Sequence, residues 1–226
     1  MFELVAKTDD FYLIDKAPGV GFHREDGQPA LIDVLRAALD DEALWPVHRL
    51  DKVTSGLLLF ARSAQAARAL GEDLAEHRLD KYYLALADSK PSKKQGLIKG
   101  DMEKSRNGAW RLATKLENPA LTQFFSWSLR PSERLFLLRP RTGRTHQLRV
   151  AMKSLGSPIL GDPLYYAGSA ADEARTYLHA YALAFELFGC RYHFVCPPRS
   201  GERFLSEACQ AKIAELKAPW ELPWPK

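Results

Sequence analysis

Residues 2–14 alternate between apolar and polar positions well enough to predict one or two strands, ending in the turn residues Lys16-Ala17-Pro18-Gly19. The period then changes: over 28–39, Leu31, Ile32, Val34, Leu35 and Leu39 form an apolar stripe at helical spacing. Residues 56–61 are apolar throughout and bounded by turn residues, the pattern of a buried strand. Ser63 predicts a helix cap, and Ala66, Ala67, Leu70 and Leu74 then mark one face of a helix running to about Arg78. A strand is predicted over 81–87, and the polar stretch 88–104 reads as a loop or an extended hairpin connection. Three more strands are predicted over 109–115, 121–129 and 134–139.

A turn at Thr142-Gly143 leads into a predicted helix over 145–155, stopped by Gly156 and Pro158. Residues 177–187 and 191–195 read as a strand pair joined at Phe188-Gly189, and 202–217 as a closing amphipathic helix. The tail 220–225 holds two tryptophans between prolines and is expected to pack back on the protein. Strands outnumber helices and often follow one another directly. The pattern therefore predicts an α+β fold with a largely antiparallel mixed sheet and flanking helices, forming a single domain over 1–226. A chain of 226 residues buries roughly 70% of its unfolded surface, enough to fold without disulfide staples.

Composition adds little until its distribution is considered. A hydrophobic fraction of 46% and a charged fraction of 27% are ordinary for a globular protein, and no apolar run is long enough to suggest a membrane span. Met1 to Asp10 lack the order of a secretory signal, so a cytoplasmic protein is expected. Cys190, Cys196 and Cys209 show no framework spacing, which makes reduced thiols the default. The net charge of +4 is weakly informative, but 130–149 holds six arginines against the single acid Glu133. Guanidinium binds phosphate bidentately and stacks on bases, so this stretch favours a nucleic-acid surface over a merely solvated face. A second, lysine-rich cluster over 90–115 sits among Gly and Ser and reads as a mobile loop, with phosphate contact and plain solvated surface as its two open readings.

Two segments concentrate groups that carry chemistry. His48-Arg49-Leu50-Asp51-Lys52-Val53-Thr54-Ser55-Gly56 is a polar stretch directly before a buried strand, and strand ends hold side chains rigidly at clefts. Asp51 lies between cationic neighbours, which suits a nucleophile or electrostatic stabiliser better than a general acid. In Arg141-Thr142-Gly143-Arg144-Thr145-His146-Gln147-Leu148-Arg149, Gly143 permits a tight turn and the following helix start offers free N–H groups to an anion, with Arg144 placed to face it. The histidines His48, His146 and His179 with Asp51 lack the spacing of a metal site.

Together these segments resemble the RluA/RsuA family of RNA pseudouridine synthases, most closely its RluA-like branch. The family motif HRLDxxTSG is complete from His48 to Gly56; seven fixed residues at about one in twenty each make a chance match of order one in ten million. Leu13 to Gly19, Lys81-Tyr82-Tyr83, Gly143 to Met152, Gly161 to Tyr165 and Leu178-His179-Ala180 resemble further family motifs in the family's order. The turn at Lys16 carries one extra residue before its proline, and Ala151 stands where the family has histidine.

The resemblance implies a pseudouridine synthase catalytic fold with a central RNA-binding cleft, beginning almost at Met1 and so without the small N-terminal RNA-binding domain of many relatives. It implies a cofactor-independent and metal-free isomerase acting on uridines of ribosomal or transfer RNA, expected as a monomer without a membrane partner. Asp51 would be the catalytic carboxylate, with Arg144 pairing to it and Tyr83 stacking near the uracil and acting as a base. Tyr82 is the adjacent candidate in another strand register. Leu148 would pack on the base and Arg49 would enter the RNA where the nucleotide is extruded, while His48, Thr54, His146 and Gln147 would add substrate contacts. The rival readings are a non-catalytic RNA-binding module of the same fold, which would tolerate loss of Asp51, and a metal-dependent hydrolase, which a chelator would silence.

Overall fold

The computed structural model describes residues 1–24, 27 and 29–226. Strand β1 (Phe2–Lys7) turns at Thr8, whose hydroxyl accepts from the N–H groups of Asp10 and Phe11, and β2 (Phe11–Lys16) returns antiparallel. Helix α1 (Leu31–Leu39) buries Leu31 and Leu35 of the expected stripe; Gln28, where that stretch was expected to begin, lies outside the described residues. A short β3 (Trp45–Pro46) precedes β4 (Ser55–Ala61). The Ser63 hydroxyl accepts from the Ala66 N–H at 3.0 Å and caps α2 (Ala64–Ala75). This helix stops short of Arg78 because His77 turns left-handed at φ 59°.

Next come β5 (Asp80–Ala87), β6 (Gln95–Lys104), β7 (Trp110–Ala113), β8 (Ala120–Arg130) and β9 (Glu133–Pro140). Strand β6 corrects the expectation of a loop over 88–104: its ladder to β8 runs from Gln95 opposite Phe125 to Gly100 opposite Ala120, so pairing overrides a polar sequence. After α3 (Gln147–Ser154) and the single turn α4 (Ala167–Ala170), β10 (Leu178–Leu187) and β11 (Cys190–Val195) form the predicted hairpin. The one closing helix expected over 202–217 is instead two, α5 (Glu202–Leu205) and α6 (Glu207–Ala214). Ser206, with ψ 145°, leaves helical geometry between them.

The strands join one sheet in the order β1-β2-β4-β10-β5-β9-β8-β6-β7, with β3 beside β4 and β11 beside β10. Among the described residues only β4 and β10 run parallel, through Ser55 opposite His179 and Gly56 opposite Ala180. The result is the mixed, mostly antiparallel sheet with flanking helices that the pattern predicts. Strand β4 is apolar at successive positions because both of its faces are covered. Leu58 and Phe60 join a cluster with Tyr83, Leu148 and Met152, whereas Leu57 and Leu59 meet Ala66 and Leu70 of α2. Each large apolar side chain so buried contributes roughly 1.5–3 kcal/mol.

Alternation on β5 sends Tyr83, Ala85 and Ala87 to the first of these faces, and Tyr82, Leu84 and Leu86 toward Phe204 and Ile213 of α5 and α6. The Tyr82 ring also lies 5.7 Å from that of Trp224, whose indole N–H donates to the Pro219 carbonyl at 2.8 Å, so the tail does fold back.

Gly56 has the tightest fit near the centre. At φ 107° its missing Cβ would stand 2.3 Å from the Ala180 carbonyl oxygen, so only glycine lets β4 approach β10 here. Gly56→Ala is expected to cost about 2–4 kcal/mol through overlap and backbone strain, read as a lower urea midpoint at unchanged m-value.

Candidate active site

Ala180 of β10 faces Gly56 on one side and Tyr83 on the other, which brings the start of β4 beside the middle of β5. Over this point lies a cavity of about 400 Å³ walled by the turn before β4, the start of β5, the loop after β9 and the start of α3. Asp51, Tyr83, Arg144, Arg49, Leu148, His48, Thr54, His146 and Gln147 all line it. Lining the cavity does not give each of them the expected role.

Asp51 sits in a turn closed by the Thr54 N–H donating to the Asp51 carbonyl at 3.0 Å. That turn is bolted to the end of β2: the Lys52 carbonyl accepts from the Gly19 N–H at 2.8 Å and from the Lys16 ammonium at 3.3 Å. Lys16 is wholly buried, and its ammonium also donates to the carbonyls of Ala17 and Val20. Burial pushes its pKa down to about 7, with the Arg175 charge adding to the fall and Asp51 and Asp15 opposing it.

From below, Ser55 is fixed by Arg175, which donates to its hydroxyl at 2.5 Å, while that hydroxyl meets His179 Nδ1 at 2.8 Å. The hydroxyl then donates to Nδ1, and the Nε2–H donates to the Cys196 carbonyl at 2.8 Å, which defines a neutral imidazole. Burial pushes the His179 pKa down to about 3. Since this lies below the ordinary value of 6.5, the unfolded chain takes the proton first on acidification. The stabilisation is complete above pH 6.5 and declines as pH falls toward 3, by about 1.4 kcal/mol per pH unit. Urea denaturation at pH 7.5 and 5.0 should show a loss roughly 2 kcal/mol larger for the wild type than for His179→Gln.

The main correction concerns the partner of Asp51. Arg144 was expected to pair with it, but the Arg144 guanidinium donates to Asn118 Oδ1 instead. Arg149 takes the role: its Nη1 lies 3.4 Å from Asp51 Oδ2, while its Nε and Nη2 donate to the two oxygens of Asp162 at 2.8 and 2.9 Å. The reason is the helix. Arg144 precedes the left-handed residue His146 and stays on the exposed loop, whereas Arg149 lies within the first turns of α3, where every residue from Gln147 to Met152 is buried. A guanidinium there requires carboxylates. Asp162, with no exposed surface, also accepts from the N–H groups of Leu164 and Tyr165, and these bonds with Arg149 hold its carboxyl below the usual range against the opposing effect of burial.

Gln147 is a second correction. Its Oε1 accepts from the Thr142 hydroxyl and the Arg144 N–H, and its Nε2 donates to the Leu121 carbonyl and the Thr122 hydroxyl, all within 3.1 Å. With each bonding position filled, it clamps the loop after β9 to β8 and has none left for a substrate.

Tyr83 is 8% exposed and borders the cavity, while Tyr82 points to the opposite core, which decides between the two tyrosines. Burial, reinforced by the Asp51 charge, pushes the Tyr83 hydroxyl well above the ordinary tyrosine range. The phenol therefore stays protonated at neutral pH and presents a ring and an O–H, not a base. His146 Nδ1 lies 2.9 Å from the Tyr165 hydroxyl, which also accepts from the Trp110 N–H. Leu148 supplies an apolar wall, and Arg49 stands exposed at the rim with His23 at 3.4 Å. Thr54 contributes through its backbone. His48 lines the cavity, but both of its ring nitrogens are closed off from solvent and have no partner among the described residues.

Among the described residues one group has metal-like spacing, Asp15, His179 and Cys196, with ligand atoms within 4.8 Å of one another. Both nitrogens of His179 are already engaged, the Cys196 thiol bonds to Asp15, and the Arg175 charge lies close by, so the group has no open ligand position. His48, Asp51 and His146 do not join it.

Both the sequence and the fold have relatives among known proteins. The family model for RNA pseudouridylate synthase matches residues 10–154. An uncharacterized RNA pseudouridine synthase of Haemophilus influenzae is 48% identical over 200 residues, covering 88% of this chain and 89% of that protein. Ribosomal large subunit pseudouridine synthase C of Haemophilus ducreyi is 33% identical over 196 residues, 81% of this chain and 61% of that protein. Among solved structures, human RNA pseudouridylate synthase domain containing 1 superposes with a TM-score of 0.76 at 25% identity, covering 100% of this chain and 97% of that one.

Proposed function

The chain belongs to the RNA pseudouridylate synthase family and is an RNA-modifying isomerase, and from that premise we propose that Asp51 is its catalytic carboxylate, acting on a uridine drawn into the cavity beside Tyr83. The observation that carries this reading is the convergence of Asp51, Arg149, Tyr83 and Leu148 on one cavity.

The reaction breaks the bond from ribose C1′ to uracil N1, turns the base in place and joins C1′ to C5. N1 ends with the proton that C5 loses, so atoms and electrons balance without an oxidant, a reductant or a donor. What the protein must supply is a charge to meet the electron-poor sugar carbon, a pocket that keeps the detached base from diffusing away, and exclusion of water. The Asp51 carboxylate supplies the first. Arg149, itself clamped by Asp162, fixes that carboxylate within the sub-ångström tolerance that catalysis demands.

The ring of Tyr83 and the side chain of Leu148 supply the apolar walls between which a free uracil can turn. A base reaches such a pocket only after leaving its stack, at a cost of a few kcal/mol, and Arg49, exposed at the rim, would fill the gap it leaves. The proposed substrate is ribosomal or transfer RNA, with the cationic loop after β9 along its backbone. Ribosomal RNA is favoured by the similarity to the ribosomal large subunit pseudouridine synthase C of Haemophilus ducreyi. Mapping pseudouridines in total RNA from cells with and without the gene is expected to show at least one position lost on deletion; an unchanged map contradicts the proposal.

A further inference from the structure

Resting on the reading above, we propose that Lys81 is a phosphate-binding residue inside the cavity, holding the phosphate of the uridine whose base lies against Tyr83. Lys81 and Tyr83 are two residues apart on β5, so their side chains leave the same face. Their separation of about 6.6–6.8 Å along the strand is comparable to the span from a nucleotide's base to its own phosphate.

The Lys81 ammonium stands at the loop after β9, where a Cβ on Gly143 would lie 4.0 Å from it. It forms no hydrogen bond or ion pair with any described residue. Its sequence neighbour Asp80 is already occupied, bidentate with Arg139 and bonded again to Arg141. The other acid of the cavity, Asp51, pairs with Arg149. Half-buried Lys81 thus shares the Asp80 charge with two arginines that hold it, and has no hydrogen-bonded anion of its own among the described residues in a cavity that opens to solvent.

Electrostatics divide the cavity into two ends. The Asp51 charge is felt by Lys16, Tyr83, His146 and Arg149, which marks the end where bonds would change. Lys81 lies outside that group: burial lowers its pKa and Asp80 is the charge that opposes the fall. Beside it, burial and the Lys81 charge push the His48 pKa down to about 3, so this imidazole is neutral and adds no second positive charge next to Lys81. The base end sets the aromatic ring of Tyr83 and the side chain of Leu148 beside the Asp51 carboxylate, while the other end carries the Lys81 ammonium with no hydrogen-bonded anion among the described residues. A nucleotide has the same division between base and phosphate.

The test uses uridine, uridine 5′-monophosphate and uridine 3′-monophosphate as probes, titrated into the wild type, Lys81→Met and Lys81→Arg and followed by protein NMR. One of the two monophosphates is expected to bind wild type at least tenfold more tightly than uridine. Lys81→Met, which keeps the aliphatic stem, should bind all three alike, and Lys81→Arg should retain the preference. Equal affinities in the wild type, no monophosphate binding at millimolar concentration, or a preference that survives Lys81→Met overturns the assignment. Pseudouridine formation by the same wild-type preparation keeps the two claims apart. Turnover without a Lys81-dependent preference rejects the subsite alone, whereas absence of turnover rejects the catalytic reading beneath it.

Discussion

Arg149→Met is expected to lower turnover by at least a thousandfold and also to destabilise the fold by about 3–5 kcal/mol, because one guanidinium serves two carboxylates of different kinds. Asp162 has no exposed surface, and removing its bidentate partner leaves a buried charge with only two backbone N–H donors. That accounts for the stability loss. Asp51 is 30% exposed, so its own loss of a partner costs little stability but frees the carboxylate to rotate, which accounts for the activity loss. The two effects separate in the double variant Arg149→Met/Asp162→Asn, in which the buried charge is gone: the urea midpoint should recover in large part while turnover stays low. Full recovery of turnover would show that Arg149 acts only on folding. Arg144→Ala makes the contrast. Its guanidinium is exposed and bonds to Asn118, so stability should change by under about 0.5 kcal/mol, with any activity loss falling on RNA affinity.

Asp51→Asn is the second large effect. The substitution keeps the side chain's shape and leaves the Thr54 turn and the Arg149–Asp162 pair in place, so the urea midpoint should stay near that of the wild type. Removing the charge should nonetheless reduce turnover by about a thousandfold or more, because a neutral amide neither attacks nor stabilises an electron-poor sugar carbon. RNA affinity should stay within about threefold, since Arg49 and the cationic loop are untouched. A parallel fall in affinity and turnover would instead make Asp51 a binding residue.

Much of this architecture is legible along the chain because local and tertiary demands agree. The apolar run after Gly56 forms β4 since both of its faces are covered, and Ser63 caps α2 where its hydroxyl meets the Ala66 N–H. Asp51 stands out in sequence because a polar stretch joins directly to that buried strand. The ambiguity between Tyr82 and Tyr83 yields to strand alternation once β5 is paired on both sides, Tyr83 opposite Ala180 and Leu138.

The failures share a cause, which is that each depends on a distant partner. Choosing Arg149 over Arg144 requires knowing that α3 begins at Gln147 and that Asp162 is folded beneath it. One available signal was missed: an arginine amid the apolar positions of a short helix needs a buried acid, and the Gly161-Asp162-Pro163 turn offers one. Gln147 looks like a substrate contact until its four bonds to the loop and β8 are counted. Strand β6 has no apolar alternation of its own and owes its form to the ladder with β8. The break between α5 and α6 at Ser206 likewise has no counterpart in the apolar pattern.

The most direct test of the central claim is nucleoside analysis of in vitro transcribed ribosomal and transfer RNA after incubation with the purified protein, in buffer containing a chelator and no added cofactor, with Asp51→Asn alongside. Pseudouridine is expected with the wild type and none above background with the variant. Equal pseudouridine from both proteins, or none from the wild type on any of these RNAs, would contradict it.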